Sequence, residues 1–513
     1  MRRVAGYCLG VLCFCLVAAA VLNWQLRIAR GAPVQALDLE SMAAAQGVCR
    51  SEIHNFFYFY YYLGLLPVTA DLHLDHFSVE DARDITVKHG AALANDTNSA
   101  CAVGRLGDWG RIFLYLPKAW MTERAAQPSV IVATSLIFMM GLVAILAASF
   151  AHRRFLLGLA LVVFVGSYKK QLLWAYFADN IQGLLISTTL LLLALNFRFV
   201  CQRYVAPLKI DWIVATLSAA LICFIRTARG DVLPLAASIL CVYLLSGQRW
   251  FRRLALSAVF VFTLVLVSKS LDAYFDYKSR QSRAFITSVG GKIFAGEPNL
   301  YHSFWHPIAA GLGDYGMDRG FAWDDVATYQ LALPKVNQRM DRHFVVDHYF
   351  FVEPSMAPEQ WLKPETLREY DETLRDIVVT TVQEHPKWYL DILVKRVAAL
   401  LASMDHIRVG WASGEVSMPF SPWLILVMAL LSVILRRFDY LKLLLFVAPT
   451  AFVPVFIYSG YGTVFLSVIH LIVGAVLLEA SIVIVFSLYK KLGSPTLWRW
   501  TRSHKGMEDL MTS

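Results

Sequence analysis

The stretch Ile225-Arg226-Thr227-Ala228-Arg229-Gly230-Asp231 separates two apolar runs, residues 210–224 and 232–246. Each run falls a little short of the ~20 residues that carry a helix across a bilayer, or ~17 at the low end. The turn between them is therefore expected at the membrane surface or slightly below it. Charge at that depth is costly, and where it occurs it faces a cavity or a substrate. A pair of guanidinium groups suits a phosphate, because arginine presents a planar fork of donors. Arg226 and Arg229 are accordingly candidate phosphate-binding residues. The competing use of such side chains is to reach lipid headgroups or to pair with Asp231.

Outward from this turn, the chain reads as a membrane protein. Of its 513 residues, 57% are hydrophobic and 17% charged, where a soluble domain carries ~25% charged residues. Apolar runs at 4–24, 129–151, 155–168, 181–197, 210–224, 232–246, 254–267, 422–435, 443–459 and 464–488 predict about ten crossings. Basic clusters lie between alternate pairs of runs: Arg153 with Arg154, Arg198 with Arg203 and Lys209, Arg249 with Arg252 and Arg253, and Arg436 with Arg437 and Lys442. Arg2 with Arg3 and Lys490 with Lys491 fall on the same side, so both termini are expected in the cytoplasm. The net charge of +9 is thereby placed in cytoplasmic turns and gives no ground for nucleic-acid binding. No clear A-x-A cleavage site closes the first run, which is long enough to span and reads as an uncleaved anchor. The expected fold is an all-α polytopic membrane protein of about ten helices, placed in a bacterial inner membrane. Its expected parts are a transmembrane module at 1–270, an outer segment at 271–421, and a C-terminal three-helix segment with a cytoplasmic tail at 422–513.

Two long segments, 25–128 and 268–421, then share the outer face with the arginine turn. In the first, residues 53–67 are crowded with tyrosine and phenylalanine, which favour the headgroup level, and predict a helix lying on the surface. Asp38, Glu40 and Glu52 stand near that surface, and any one of them is a candidate general base for an acceptor hydroxyl. Cys49 and Cys101, of eight cysteines, fall in this same segment. In an oxidising compartment they are expected to pair, stabilising by roughly 4 kcal/mol on the chain-entropy model. In the second segment, 272–283 reads as a charged continuation of the seventh span. His302 and His306 share a helical face, but Pro307 follows and no H-E-x-x-H pattern is present, so polar packing is expected rather than metal binding. Residues 364–384 read as a polar helix with proline in its first turn. Pro386 then starts an amphipathic surface helix through Trp388, Ile392, Val397 and Leu400.

The layout resembles the GT-C superfamily of membrane glycosyltransferases, which share a seven-span module with one large outer loop after the first span and another after the seventh. The resemblance covers nearly the full length. Ser51-Glu52-Ile53-His54 is similar to the acidic motif of protein O-mannosyltransferases, with serine where that family has a second acid. Asp71-Leu72-His73 is similar to a later motif of theirs but lacks its prolines. A more distant similarity is to aminoarabinose transferases. The resemblance implies transfer of a sugar from a polyprenyl phosphate to a glycan, lipid or protein acceptor outside the membrane, with Glu52 as base and outer-face cations on the departing phosphate. Those cations are Arg226, Arg229, Lys169 and Lys170, the two lysines also opposing the positive-inside pattern. No phosphate-binding loop or dinucleotide fingerprint is present, so no nucleotide cofactor is identified; the acids could host a divalent metal, although no ligand spacing argues for one. Two other classes stay open. A ligase or polymerase of lipid-linked glycans would transfer whole oligosaccharides, and a transporter would show matched broken helices in two halves.

Overall fold

The computed structural model describes residues 70–71, 110 and, with short breaks, 130–491. The apolar run at 4–24, the aromatic run at 53–67, and Asp38, Glu40, Glu52, Cys49, Cys101, Lys169, Lys170 and Arg229 lie outside the described residues.

A two-residue strand β1 (Ala70–Asp71) precedes the helices. There follow α1 (Val130–Ala151), α2 (Phe155–Ser167), α3 (Ile181–Leu195), α4 (Phe197–Cys201), α5 (Ile210–Ala228), α6 (Pro234–Leu244) and α7 (Trp250–Ser288). Strand β2 (Lys292–Ile293), helices α8 (Trp305–Gly311) and α9 (Asp325–Met340), strands β3 (Val345–Asp347) and β4 (Phe350–Val352), and helices α10 (Arg368–Glu384) and α11 (Pro386–Ala402) come next. A hairpin of β5 (Asp405–Trp411) and β6 (Gly414–Phe420) leads to α12 (Trp423–Ile434), α13 (Phe438–Val447) and α14 (Gly462–Lys491). Helices therefore occupy each apolar run from 129–151 onward. Among the described residues, Ile210–Ala228, Trp250–Ala284 and Phe438–Ile457 are long and apolar enough to cross a membrane.

The fold is mostly helical but not all-α, since three antiparallel pairs occur: β1 with β2, β3 with β4, and β5 with β6. The β5–β6 hairpin separates the amphipathic helix α11 from α12, where the sequence suggested a direct run. A second correction concerns α5. It extends past Phe224 to Ala228, because Ile225, Thr227 and Ala228 are buried and prolong its packed face. Its 19 residues reach spanning length, and Arg226 sits in its last turn rather than in a loop. The stretch from Phe438 changes pitch along its length, passing from α-helix to a 3₁₀ turn at Ala448–Ala451 and a π turn at Val453–Ile457. Pro449 and Pro454 account for the change, since each removes an N–H from the helical ladder and crowds the preceding turn.

Two apolar cores result. The larger joins the spanning-type helices through residues such as Leu142, Phe197, Ala219, Tyr243, Phe260 and Val473. Here α1 packs on α3, α5 on α7, and α14 on α2. The smaller core, built from the segment after α7, gathers Leu312, Tyr329, Phe351, Tyr370, Leu374 and Ile392. Helix α9 opens on Asp324, whose carboxylate accepts the Ala327 N–H at 2.7 Å and so caps the first turn. Helix α11 buries Ile392 and Arg396 on one side and exposes Leu390, Val394 and Val397 on the other. The stripe the sequence assigned to the lipid surface turns largely inward instead: Ile392 is buried in the smaller core, Trp388 packs on it, Leu400 packs on the larger core, and of the four only Val397 is exposed.

The outer surface of this smaller unit carries acid-sensitive contacts. Hydrogen bonding and charge from Arg368 hold the Glu372 carboxyl below its usual range, and hydrogen bonds from Arg339 and Arg375 do the same for Asp376. Carboxyls lowered in the folded state stabilise it above their unfolded values, ~3.9 for Asp and ~4.3 for Glu, and lose that effect as pH falls through the folded values. The thermal midpoint should therefore hold from neutrality down to about pH 5 and decline in more acid buffer. Arg339→Ala should shrink the acid-dependent part of the drop; an identical pH profile in that variant would refute the assignment.

Candidate functional site

Helix α5 lies along α7, and the seam between them ends at Arg226. One turn below, the Cys223 thiol donates to the Leu264 carbonyl at 3.2 Å. Arg226 Nη1 donates to Ser268 Oγ at 2.6 Å, and Nη2 stands 4.0 Å from Asp272 Oδ1. Ser268 and Asp272 are four residues apart on α7, so one helical face presents both to the guanidinium. Arg226 and Asp272 are each about a quarter exposed. The 4.0 Å separation is too long for a hydrogen bond, and no described residue donates one to Asp272 Oδ1, which is buried. Arg226 thus keeps a fixed position on Ser268, with Asp272 as a nearby counter-charge rather than a hydrogen-bonded partner.

The first long segment reaches this end of the helices. The Gly110 amide donates to the Thr227 carbonyl at 3.0 Å. A Cβ at position 110 would fall 1.9 Å from Thr227 Oγ1, so only glycine permits that approach. Away from this site, just beyond the end of α7, which runs twenty residues past Ser268, strand β1 of the first segment pairs with β2 through Ala70 opposite Ile293 and Asp71 opposite Lys292. Of the proposed site residues, Arg226 is the one within the described part of the chain. Asp231 belongs to a 3₁₀ turn at Gly230–Val232. Sequence reasoning missed Ser268 and Asp272; the available signal was the polar residues recurring at helical spacing where the seventh run ends.

No family model matches the chain, and no curated protein or solved structure matches it either.

A second polar cluster lies inside the smaller core. His306 Nδ1 is 2.6 Å from the Tyr370 hydroxyl, and Nε2 is 3.1 Å from Asp325 Oδ1. These partners assign the tautomer: Tyr370 donates to Nδ1 and the Nε2–H donates to the carboxylate. The Tyr329 hydroxyl donates to Glu365 Oε1 at 2.9 Å. Burial first, and then the Glu365 carboxylate, push both tyrosine hydroxyls above their usual range, so both remain protonated donors at neutral pH. Ser303 bonds Asp371 and accepts the His306 amide. His306 is thus committed to protein partners, in keeping with polar packing, whereas His302 lies outside the described residues. Among the described residues no cluster of His, Cys, Asp and Glu is arranged to hold a metal ion. Cys201, Cys223 and Cys241 are free thiols.

The basic clusters read from the sequence meet at another set of contacts. Arg154 bonds Asp439 at 2.6 Å and Glu479 at 3.2 Å, and Arg437 reaches Asp439 at 3.2 Å. Arg198 and Arg252 both pair with Asp211, at 3.0 and 3.3 Å. Lys442 donates to the Phe199 carbonyl at 3.2 Å. Residues from four separate basic turns are therefore linked directly or through shared neighbours. Buried arginine is tolerated here because carboxylates accept its donors. Those acids, Asp211, Asp439 and Glu479, sit inside or at the edge of apolar runs and were not singled out by sequence.

Proposed function

We propose that the chain is an integral-membrane glycosyltransferase that moves a sugar from a polyprenyl-phosphate donor to an acceptor at the outer membrane face. The supporting observation is Arg226: a guanidinium in the last turn of an apolar, spanning-length helix, tethered by Ser268 on α7 and next to the Thr227 carbonyl that Gly110 of the first long segment reaches. On this reading the chain crosses the membrane about ten times with cytoplasmic termini, and the linked basic turns mark the cytoplasmic end.

The chemistry is a displacement at the first carbon of the sugar. The acceptor hydroxyl oxygen bonds to that carbon as the carbon–oxygen bond to phosphate breaks. One of Glu52, Asp38 and Glu40 takes the hydroxyl proton. The electron pair leaves on phosphate, where Arg226 meets the developing charge, with Arg229, Lys169 and Lys170 as further cations. An arginine rooted in the membrane surface suits a donor whose lipid tail holds its phosphate at that depth.

The test uses the full chain in liposomes with polyprenyl-phosphate-linked mannose, glucose or arabinose and a panel of glycan, lipid and peptide acceptors. Release of free polyprenyl phosphate with gain of one sugar on the acceptor is the expected result. Acceptor gaining a whole oligosaccharide would assign the chain to the ligase class instead. No release across the panel would overturn the reading.

A further inference from the structure

We infer that Asp272 is a positioning residue whose charge, set beside Arg226, weakens the hold on the spent phosphate more than the hold on the intact donor. The inference rests on the proposed role of Arg226 as the phosphate-binding group.

The geometry is that of a counter-charge, not of a closed ion pair. Arg226 is tethered by Ser268 at 2.6 Å and stays 4.0 Å from Asp272 Oδ1. No described residue donates a hydrogen bond to that oxygen. Lys269, three residues earlier on α7, is exposed. A phosphate seated on Arg226 therefore feels two fixed charges at once, an attractive guanidinium and a repulsive carboxylate a few ångströms away. Both side chains are about three-quarters buried, so the two charges are only partly screened.

Donor and product differ in charge. A sugar joined to a lipid through phosphate is a diester with one negative charge. After transfer the lipid carries a monoester, with about −1.5 to −2 charges near neutral pH. Arg226 alone would grip the product harder than the donor, and the enzyme would be held by its own leaving group. Asp272 repels the dianion about twice as strongly as the monoanion, since Coulomb energy is linear in each charge. Cation and anion together flatten the preference, which lets the product leave without loss of the cation that the transition state needs.

The experiment measures binding rather than turnover. The full chain in nanodiscs is titrated with a short-chain polyprenyl monophosphate and with its methyl diester. Wild-type protein should bind the two with comparable affinity. Asp272→Asn should tighten the diester by about tenfold and the monophosphate by about the square of that, because one removed charge acts on one or on two ligand charges. Asp272→Glu, which keeps the charge, should retain the wild-type ratio, and Asp272→Ser provides the neutral variant should the asparagine form not fold. A neutral variant that leaves the ratio of the two affinities unchanged overturns the inference. So does wild-type protein that already prefers the monophosphate by about a hundredfold. Wild-type protein that shows the flat preference but transfers no sugar would sink the transferase reading and leave the counter-charge in place.

Discussion

Arg226→Ala is expected to lower turnover by ~10²-fold or more in the release assay, the magnitude seen when one preorganised donor to a developing oxyanion is removed. The size follows from where the charge appears. In the bound donor the phosphate carries one charge, and in the transition state a second is arriving on the oxygen that departs. A guanidinium fixed on Ser268 needs no reorganisation to meet that charge. The loss should therefore fall more on kcat than on the KM for donor. Arg226→Lys should recover only part of it, because an ammonium supplies a point charge without the planar fork. The thermal midpoint of each variant separates chemistry from folding: the alanine change leaves Asp272 without its nearby cation, and some destabilisation is expected. Wild-type turnover in both variants would remove Arg226 from the phosphate site.

How much of this was readable in the sequence differs element by element. The helix from Pro386 was legible because proline at a first turn is a local signal, whereas the helix read over 364–384 begins only at Arg368, Pro364 belonging to a separate 3₁₀ turn at Pro364–Thr366. The charged continuation of the seventh span, read over 272–283, is part of α7, which runs on to Ser288. The β5–β6 hairpin was not read, although Ile407, Val409 and Trp411 recur at period two and only two residues join the strands. Its connection, Ala412-Ser413, lacks the glycine or asparagine that marks the tightest hairpin turns, and the segment sits between an amphipathic helix and a strongly apolar one whose patterns dominate any window. The placement of Arg226 was legible and that of its partners was not. Arginine at the end of an apolar run carries its own argument about depth, and Arg226 follows from it. Ser268 and Asp272 needed the packing of α5 on α7, which sets a register between residues more than forty positions apart that no local pattern encodes. The opposite end shows the same limit. Arg154 and Arg437 were visible as charges, but their pairing with Asp439 and Glu479 is a property of the folded bundle.

Arg396→Leu is expected to be the most damaging single change to the fold, costing about 3–5 kcal/mol, the range found when one partner of a buried ion pair is removed. Arg396 is fully buried although it lies on a helix that exposes an apolar stripe. Its guanidinium is spent on three acceptors: Nε donates to Asp314 at 3.0 Å, Nη1 to the Val455 carbonyl at 3.0 Å, and Nη2 to the Gly311 carbonyl at 2.6 Å. Gly311 ends α8 and Asp314 follows it, while Val455 lies in the π turn after α13. One side chain thereby fastens the smaller core to the spanning-length segment Phe438–Ile457, and it takes up a carbonyl in a turn where Pro454 has already disturbed the ladder. Leucine fills much of the space but leaves a buried carboxylate and two carbonyls without this donor. The carboxylate dominates the cost, so removing it as well should restore part of the stability: Arg396→Leu with Asp314→Leu should unfold at a higher temperature than Arg396→Leu alone. Thermal unfolding of the purified protein, followed by tryptophan fluorescence, measures both variants. Limited proteolysis near α8 and α11 reports whether the smaller unit has come away from the helices. A single variant as stable as wild type, or a double variant no better than the single, would show that Arg396 does not hold the two units together through Asp314.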